Sequence, residues 1–291
     1  MMKTGFVTIV GRPNAGKSTL LNRLVGEKVS IVSDKSQTTR HAIQGIYHDE
    51  EAQIVFVDTP GIHKPKARLG ERMNAHAFGS IEGVDVVILL VDSSVPIGKG
   101  DAYILDRLKT EKNLLIAFNK IDLVKIDQIQ RMKGSYASML PNATFVELSA
   151  LKGALVPELI ASIKPFLSEG PLFFPVDTKT NVNEAFRLTE FIREKVLHYT
   201  YEEIPHSVAV TIDQLEHDGD TRTIYASIIV EKDSQKGILI GEGGKRIRSI
   251  RLATAKDVKR HLHLDISLEL FVRVEKNWRD SIDRLKEFGL L

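Results

Sequence analysis

The 291-residue sequence contains no cysteine, which excludes disulfides and thiolate metal sites. A reducing cytosol is compatible with that absence. The chain also has little net charge, +2, so the molecule as a whole makes no case for nucleic acid and only a local cluster could. Long hydrophobic runs are missing. The longest, Val84 to Val91, is broken by Asp85 and closed by Asp92, far short of a membrane span. The opening MMKTGFVTIVGR leads straight into a strand pattern, too short for the apolar region of a secretory leader. There is no internal repeat and no low-complexity segment. A soluble, cytoplasmic protein is expected.

What is present is ordinary for a globular chain, 43% hydrophobic and 27% charged, and the length implies two domains. Over residues 1–168 short apolar runs alternate with amphipathic stretches. FVTIV (6–10), IVFV (54–57), VVILLV (86–91), LLIAF (114–118) and FVEL (145–148) read as strands, several buried on both faces. AIQGIYH (42–48) and AQIVFVD (52–58) read as one antiparallel hairpin. The expected fold is α/β, a mostly parallel sheet with helices on both faces. Residues 169–183, with Gly170, Pro171 and Pro175, read as a linker. Residues 184–291 follow a different order, α-β-β-α-α-β-α. Its hairpin strands, 207–215 and 222–231, meet at the turn HDGD, and a last short helix places Trp278, Ile282 and Leu285 on one face.

Gly11-Arg12-Pro13-Asn14-Ala15-Gly16-Lys17-Ser18 fits the phosphate-loop pattern, directly after a strand and before the helix beginning at Thr19. Its glycines let backbone N–H groups wrap phosphates, and the helix N-terminus favours negative charge. Lys17 is expected to bridge the β- and γ-phosphates and Ser18 to ligate Mg²⁺. Asn119-Lys120-Ile121-Asp122 follows a strand. Asp122 can accept both donors on the guanine edge, which adenine lacks, and such a mismatch discriminates by about 10⁴. Asn119 would bond the other side of the base and the loop, the Lys120 stem would cover the ring, and the turn Ser149-Ala150-Leu151 would offer an N–H to the guanine carbonyl oxygen. Asp58-Thr59-Pro60-Gly61 closes a strand: Asp58 would hold Mg²⁺ through water, and the Gly61 N–H would meet the γ-phosphate. From the residues alone, either threonine of QTTR (37–40), Thr38 or Thr39, could complete the metal shell or be a turn residue. Many such switches carry a water-orienting glutamine after that glycine; here the position is Ile62, so slow intrinsic hydrolysis is expected. Asn14 could either tighten the loop or hold a monovalent cation that neutralises developing charge. His63 reads as a solvated side chain rather than a base.

These motifs, in this order, resemble the Era-type bacterial GTPases, and the second half resembles a type II KH domain whose G-x-x-G is Gly241-Glu242-Gly243-Gly244. The match covers essentially the whole chain; Ser36, before QTTR, is a small departure. The resemblance implies Thr39 as the metal ligand and potassium-assisted hydrolysis through Asn14. It implies GTP and GDP as ligands. It further implies single-stranded ribosomal RNA, the 16S 3′ end, as partner, a role in small-subunit assembly, and peripheral contact with the inner face of the cell membrane. The sequence shows no amphipathic anchor for that contact. The chain is expected to be monomeric. The residues agree on RNA. Residues 236–260 hold eight Lys/Arg against Glu242 and Asp257, a local net of +6. On a helix Ile247, Ile250 and Val258 share a face, while Lys245, Arg248, Lys256 and Lys259 point away to meet phosphates. Ile238, Leu239 and Ile240 would floor the bases. GTP would order the loops around 27–41 and 58–78 and alter how the KH surface is presented. Two rival readings are a large-subunit assembly GTPase and a constitutive RNA-binding module with a structural nucleotide site.

Overall fold

The computed structural model describes residues 2–35, 38–62, 68–201, 204–218 and 221–290. Ser36, Gln37, His63 and the turn residues Gly219 and Asp220 lie outside these. The chain forms two compact units.

The first unit carries strands β1 (Met2–Val10), β2 (Ile43–His48), β3 (Ala52–Asp58), β4 (Val86–Asp92), β5 (Leu114–Asn119) and β6 (Thr144–Glu147), in the spatial order β2-β3-β1-β4-β5-β6. All neighbours are parallel except the β2–β3 hairpin. The interior strands are buried along nearly their whole length, because helices cover a parallel sheet on both faces and only continuous apolar runs suit that setting. Helix α1 (Lys17–Val25) turns Leu20, Leu21, Leu24 and Val25 inward and stops at Gly26, whose left-handed backbone caps it. Helices α2 (Arg68–Gly79), α3 (Lys99–Leu108), α4 (Ile126–Met139) and α5 (Val156–Ile163) complete the unit.

Parallel register brings the chemistry to one edge. Asp58 pairs with Ile9 at the end of β3, and Asp92 pairs with Asn119 at the ends of β4 and β5. All lie at the carboxyl ends of their strands, where open α/β sheets bind ligands.

The segment after α5 is bound rather than loose. β7 (Ser168–Gly170) pairs antiparallel with β1, and Phe173 packs on Phe6 with ring centroids 4.8 Å apart. The Gln53 side chain accepts from the N–H groups of Phe173 and Phe174 and donates to the Phe174 carbonyl. Its two prolines and Gly170 deny it helical period, but the Gln53 amide from β3 still fixes its backbone.

The second unit contains α6 (Glu184–Tyr199), β8 (Ala209–Asp218), β9 (Thr221–Val230), α7 (Asp233–Ile240), α8 (Lys245–Leu262), β10 (Ile266–Val274) and α9 (Ile282–Glu287). The sheet order is β10-β9-β8, with β10 parallel and β8 antiparallel to β9. Leu188, Phe191, Val196, Ile228, Ile250, Val258 and Leu268 form its core. Residues 31–35 and Thr38 also cluster with this unit: Ile31 joins its core, the Val32 N–H donates to Glu194 at 2.9 Å, and Arg193 donates to the Thr38 carbonyl.

One expected face is corrected. Trp278 and Leu285 are buried, but Ile282 is 42% exposed. Trp278 belongs to a separate short turn before α9, so helical spacing does not carry across from it to Ile282. Among the described residues no helix is long and apolar enough to cross a membrane.

Candidate functional site

The phosphate loop joins β1 to α1. Gly16 takes φ 98°, and a Cβ there would meet Asn119 Nδ2 at 2.4 Å, so both backbone angle and space demand glycine. Asn14, at the exposed loop tip, has φ 63°. Lys17 is buried and donates to the carbonyls of Gly11 at 3.2 Å and Arg12 at 3.0 Å. Burial lowers its ammonium to about 8 from a usual 10.5, with nearby Asp58 pulling the other way. Arg12 reaches sideways instead, donating to Asp101 at 2.9 Å, and Asp101 caps α3 through the Gly98 N–H. Pro13 borders Gly61, and Thr19 follows Ser18 in the first turn of α1.

Ser18, Thr39 and Asp58 converge. Ser18 Oγ donates to Asp58 Oδ2 at 2.7 Å and lies 2.8 Å from Thr39 Oγ1, which is 3.5 Å from the same oxygen. Thr38 instead turns its hydroxyl to the Lys35 carbonyl at 2.6 Å. The three converging side chains are hard oxygen donors, and Asp58 Oδ1 is buried with no hydrogen-bond partner. Burial raises the Asp58 carboxyl above its usual range, against the pull of Lys17 and the three hydroxyls of Ser18, Ser30 and Thr39. A buried, underpaired carboxylate beside two hydroxyls fits a hexacoordinate cation such as Mg²⁺.

Gly61 packs against the phosphate loop so closely that a Cβ would meet the Pro13 backbone at 2.8 Å. Ile62 is 2% exposed and belongs to the apolar cluster with Val10, Val87 and Leu89. Its N–H donates to the Gly11 carbonyl at 3.2 Å.

On the base side, Asn119 spends both ends of its amide on backbone: Nδ2 donates to the Ala15 carbonyl at 2.8 Å and Oδ1 accepts from the Ala150 N–H at 2.9 Å. The Ser149 N–H donates to the Ala154 carbonyl at 3.0 Å. The N–H expected from Ser149-Ala150 is therefore engaged within the protein, while Leu151, next on the turn, is exposed. Lys120 adopts φ 65° and pairs with Asp92, and Asp122 is exposed on the short turn that follows. Two residues that sequence reasoning missed brace the site, one on the base side and one on the metal side. Arg23 donates to the carbonyls of Ala150 and Leu151, and Asn22 grips the backbone at Ser30. Arg23 and its carbonyls stand 127 and 128 positions apart, so no local signal could have linked them.

In the second unit Gly241-Glu242-Gly243-Gly244 links α7 to α8. A Cβ on Gly241 would meet Arg246 Cβ at 2.8 Å, whereas Gly243, at φ 56°, faces open space. Lys245, Arg248, Lys256 and Lys259 are exposed along α8, while Ile250 and Val258 are buried. Lys259 pairs with Asp265 at 2.7 Å and Lys245 lies 4.0 Å from Glu242; such exposed pairs leave the cations available to phosphates. Ile238 is 44% exposed and Ile240 partly buried, but Leu239 lies fully in the core. The three-residue apolar floor is thus corrected to two. Successive helical residues step about 100°, so one of three must face inward.

A family model described as a 50S ribosome-binding GTPase matches residues 6–120, and one described as a KH domain matches residues 203–279. A crystal structure of Aquifex aeolicus Era bound to GDP.AlF4⁻ is 36% identical, covers 99% of each chain and superposes with a TM-score of 0.95. A second, of Era in complex with MgGDPNP and nucleotides 1506–1542 of 16S ribosomal RNA, is 36% identical over 100% of this chain and 99% of the other, with a TM-score of 0.96.

Proposed function

We infer the function of this chain from the premise that it belongs to the Era family of GTPases: it binds and hydrolyses GTP in one unit and binds RNA through a KH domain in the other. The RNA is the 3′ end of 16S ribosomal RNA, and the role is small-subunit assembly. That reading is supported by the full-length likeness to Era carrying those nucleotides, together with an intact G-x-x-G and basic α8 in this chain. The large-subunit wording of the GTPase family attaches to residues 6–120 and so carries no information about the RNA-binding unit.

Each residue has a task. Loop N–H groups and Lys17 hold the phosphates. Ser18, Thr39 and Asp58 would hold Mg²⁺, which when bound neutralises charge on the β- and γ-oxygens. Asp122 selects guanine while Asn119 ties its loop to the phosphate loop. Gly61 reports the γ-phosphate. Ile62, locked in the core, orients no water, so Asn14 at the exposed loop tip helps hold a potassium ion that supplies the missing charge stabilisation. Thr39 directly follows Thr38, whose carbonyl accepts from Arg193, so its capture by the metal in the GTP state changes how the KH surface is presented.

The test is competition among RNAs. A labelled 16S 3′-end oligonucleotide should be displaced by itself and not by a scrambled strand or a large-subunit strand of equal length. Equal displacement by all three would leave only nonspecific phosphate binding.

A further inference from the structure

We propose that Ser30 is a positioning residue for the carboxylate of the metal site: clamped through its backbone by Asn22, it donates its hydroxyl to Asp58 and fixes which way that carboxylate faces. The proposal rests on the reading of Ser18, Thr39 and Asp58 as the magnesium site.

Asp58 is fully buried at the end of β3, and its two oxygens have unlike surroundings. Oδ2 accepts from Ser18 at 2.7 Å and Ser30 at 3.0 Å, with Thr39 at 3.5 Å, while Oδ1 has no protein partner. A carboxylate torsion is broad, so nothing intrinsic fixes the plane of the group relative to the hydroxyls. Two of the three hydroxyls belong to residues that serve the metal, Ser18 and Thr39. Ser30 is the third, and it is held independently.

Asn22 does the holding. Its Oδ1 accepts from the N–H groups of Val29 and Ser30, both at 2.9 Å, and its Nδ2 donates to the Ser30 carbonyl at 2.7 Å. Ser30 is 2% exposed. Asn22 stands four residues after Ser18 in α1, so the two share a helix face. One rigid helix therefore reaches the same carboxylate oxygen twice, directly through Ser18 and indirectly through Asn22 and Ser30. The second reach does not depend on the loop beyond residue 30. It keeps Asp58 oriented in the GDP state as well as the GTP state.

Partners that orient a metal's carboxylate typically change metal affinity 10–100-fold when removed. The experiment follows release of a fluorescent GDP as Mg²⁺ is titrated into the protein, so it reads binding and not turnover. Ser30→Ala should raise the half-saturating Mg²⁺ about tenfold and leave GDP affinity in excess chelator unchanged, and Ser30→Thr should restore the parental value. Asn22→Ala should give a similar shift, the double variant no more than either alone, and its Val29 and Ser30 amides should exchange hydrogen faster. An unchanged Mg²⁺ requirement in folded Ser30→Ala would overturn the proposal. So would a loss as large as that of Ser18→Ala, which would make Ser30 a ligand. GDP binding by the parent that ignores Mg²⁺ would instead overturn the underlying metal-site reading, and this proposal with it.

Discussion

Asn119 donates to the carbonyl of Ala15 at 2.8 Å, across 104 positions of sequence, and so fastens the base-reading loop to the phosphate loop. With its other end on the Ala150 N–H, the residue is a buried strut between the two loops. Asp122, by contrast, is exposed. Asn119→Ala should leave two buried backbone groups unpaired, lower stability by about 2–3 kcal/mol and weaken GTP and XTP alike. Asp122→Asn should keep parental stability and shift preference from guanine toward xanthine. Denaturant titration and nucleotide binding of both variants check this, and undiminished GTP binding by Asp122→Asn would remove it as the base reader.

Hydrolysis without a glutamine leaves a charge to be neutralised, since Ile62 is sealed in the core. Potassium should accelerate GTP turnover over sodium at equal ionic strength, and Asn14→Ala should abolish the difference. Equal parental rates in the two salts would place the missing charge on another molecule.

The buried Lys17 gives nucleotide binding a pH dependence. Its pKa in the ligand-free fold is about 8, below the 10.5 of the unfolded chain, so between these values the unfolded chain binds more protons and stability rises with pH. Bound phosphates favour the ammonium, so GTP affinity should be flat below pH 8 and fall up to about tenfold per pH unit above it. Proton uptake at pH 9, measured by calorimetry in buffers of different ionisation enthalpy, should be positive. Zero uptake would mean Lys17 is already charged when free.

Much of this was legible in the sequence because it is local. Two-sided burial of the strands shows as unbroken apolar runs, GRPNAGKS carries its own strand-helix context, and the order of elements in the second unit follows from alternation and turns. The misses have two physical causes. Whether a side-chain amide or hydroxyl finds a partner depends on distances set by the tertiary fold, so Arg23, Asn22 and Ser30 gave no sign, and the Ala150 N–H looked free. The segment after α5 reads as a linker because composition reports missing helical period and is silent on the Gln53 amide that binds it. Leu239 and Ile282 failed for a simpler reason, an assumed shared face that the helix geometry does not provide.

The G-x-x-G turn separates space from function. At Gly241 any side chain strikes Arg246, but at Gly243 the φ of 56° is one aspartate tolerates, in open space, at a cost of about 1 kcal/mol. Gly243→Asp should therefore fold, keep GTP affinity and lose single-stranded RNA binding by charge repulsion. Lys245→Ala and Arg248→Ala should each weaken RNA binding modestly and shallow its salt dependence by roughly one released ion. Parental RNA affinity in folded Gly243→Asp would move the RNA surface elsewhere.

If the nucleotide controls the RNA surface, RNA affinity must change with what the GTPase unit holds. A 16S 3′-end oligonucleotide is titrated into the full chain loaded with a non-hydrolysable GTP analogue, with GDP, or with no nucleotide, at fixed salt. Coupling of the usual size, about 1–3 kcal/mol, should separate the GTP-analogue and GDP affinities at least about fivefold, and Thr39→Ala should erase the separation. Identical affinities in all three states would contradict the account and leave a KH domain that binds RNA regardless of the GTPase beside it.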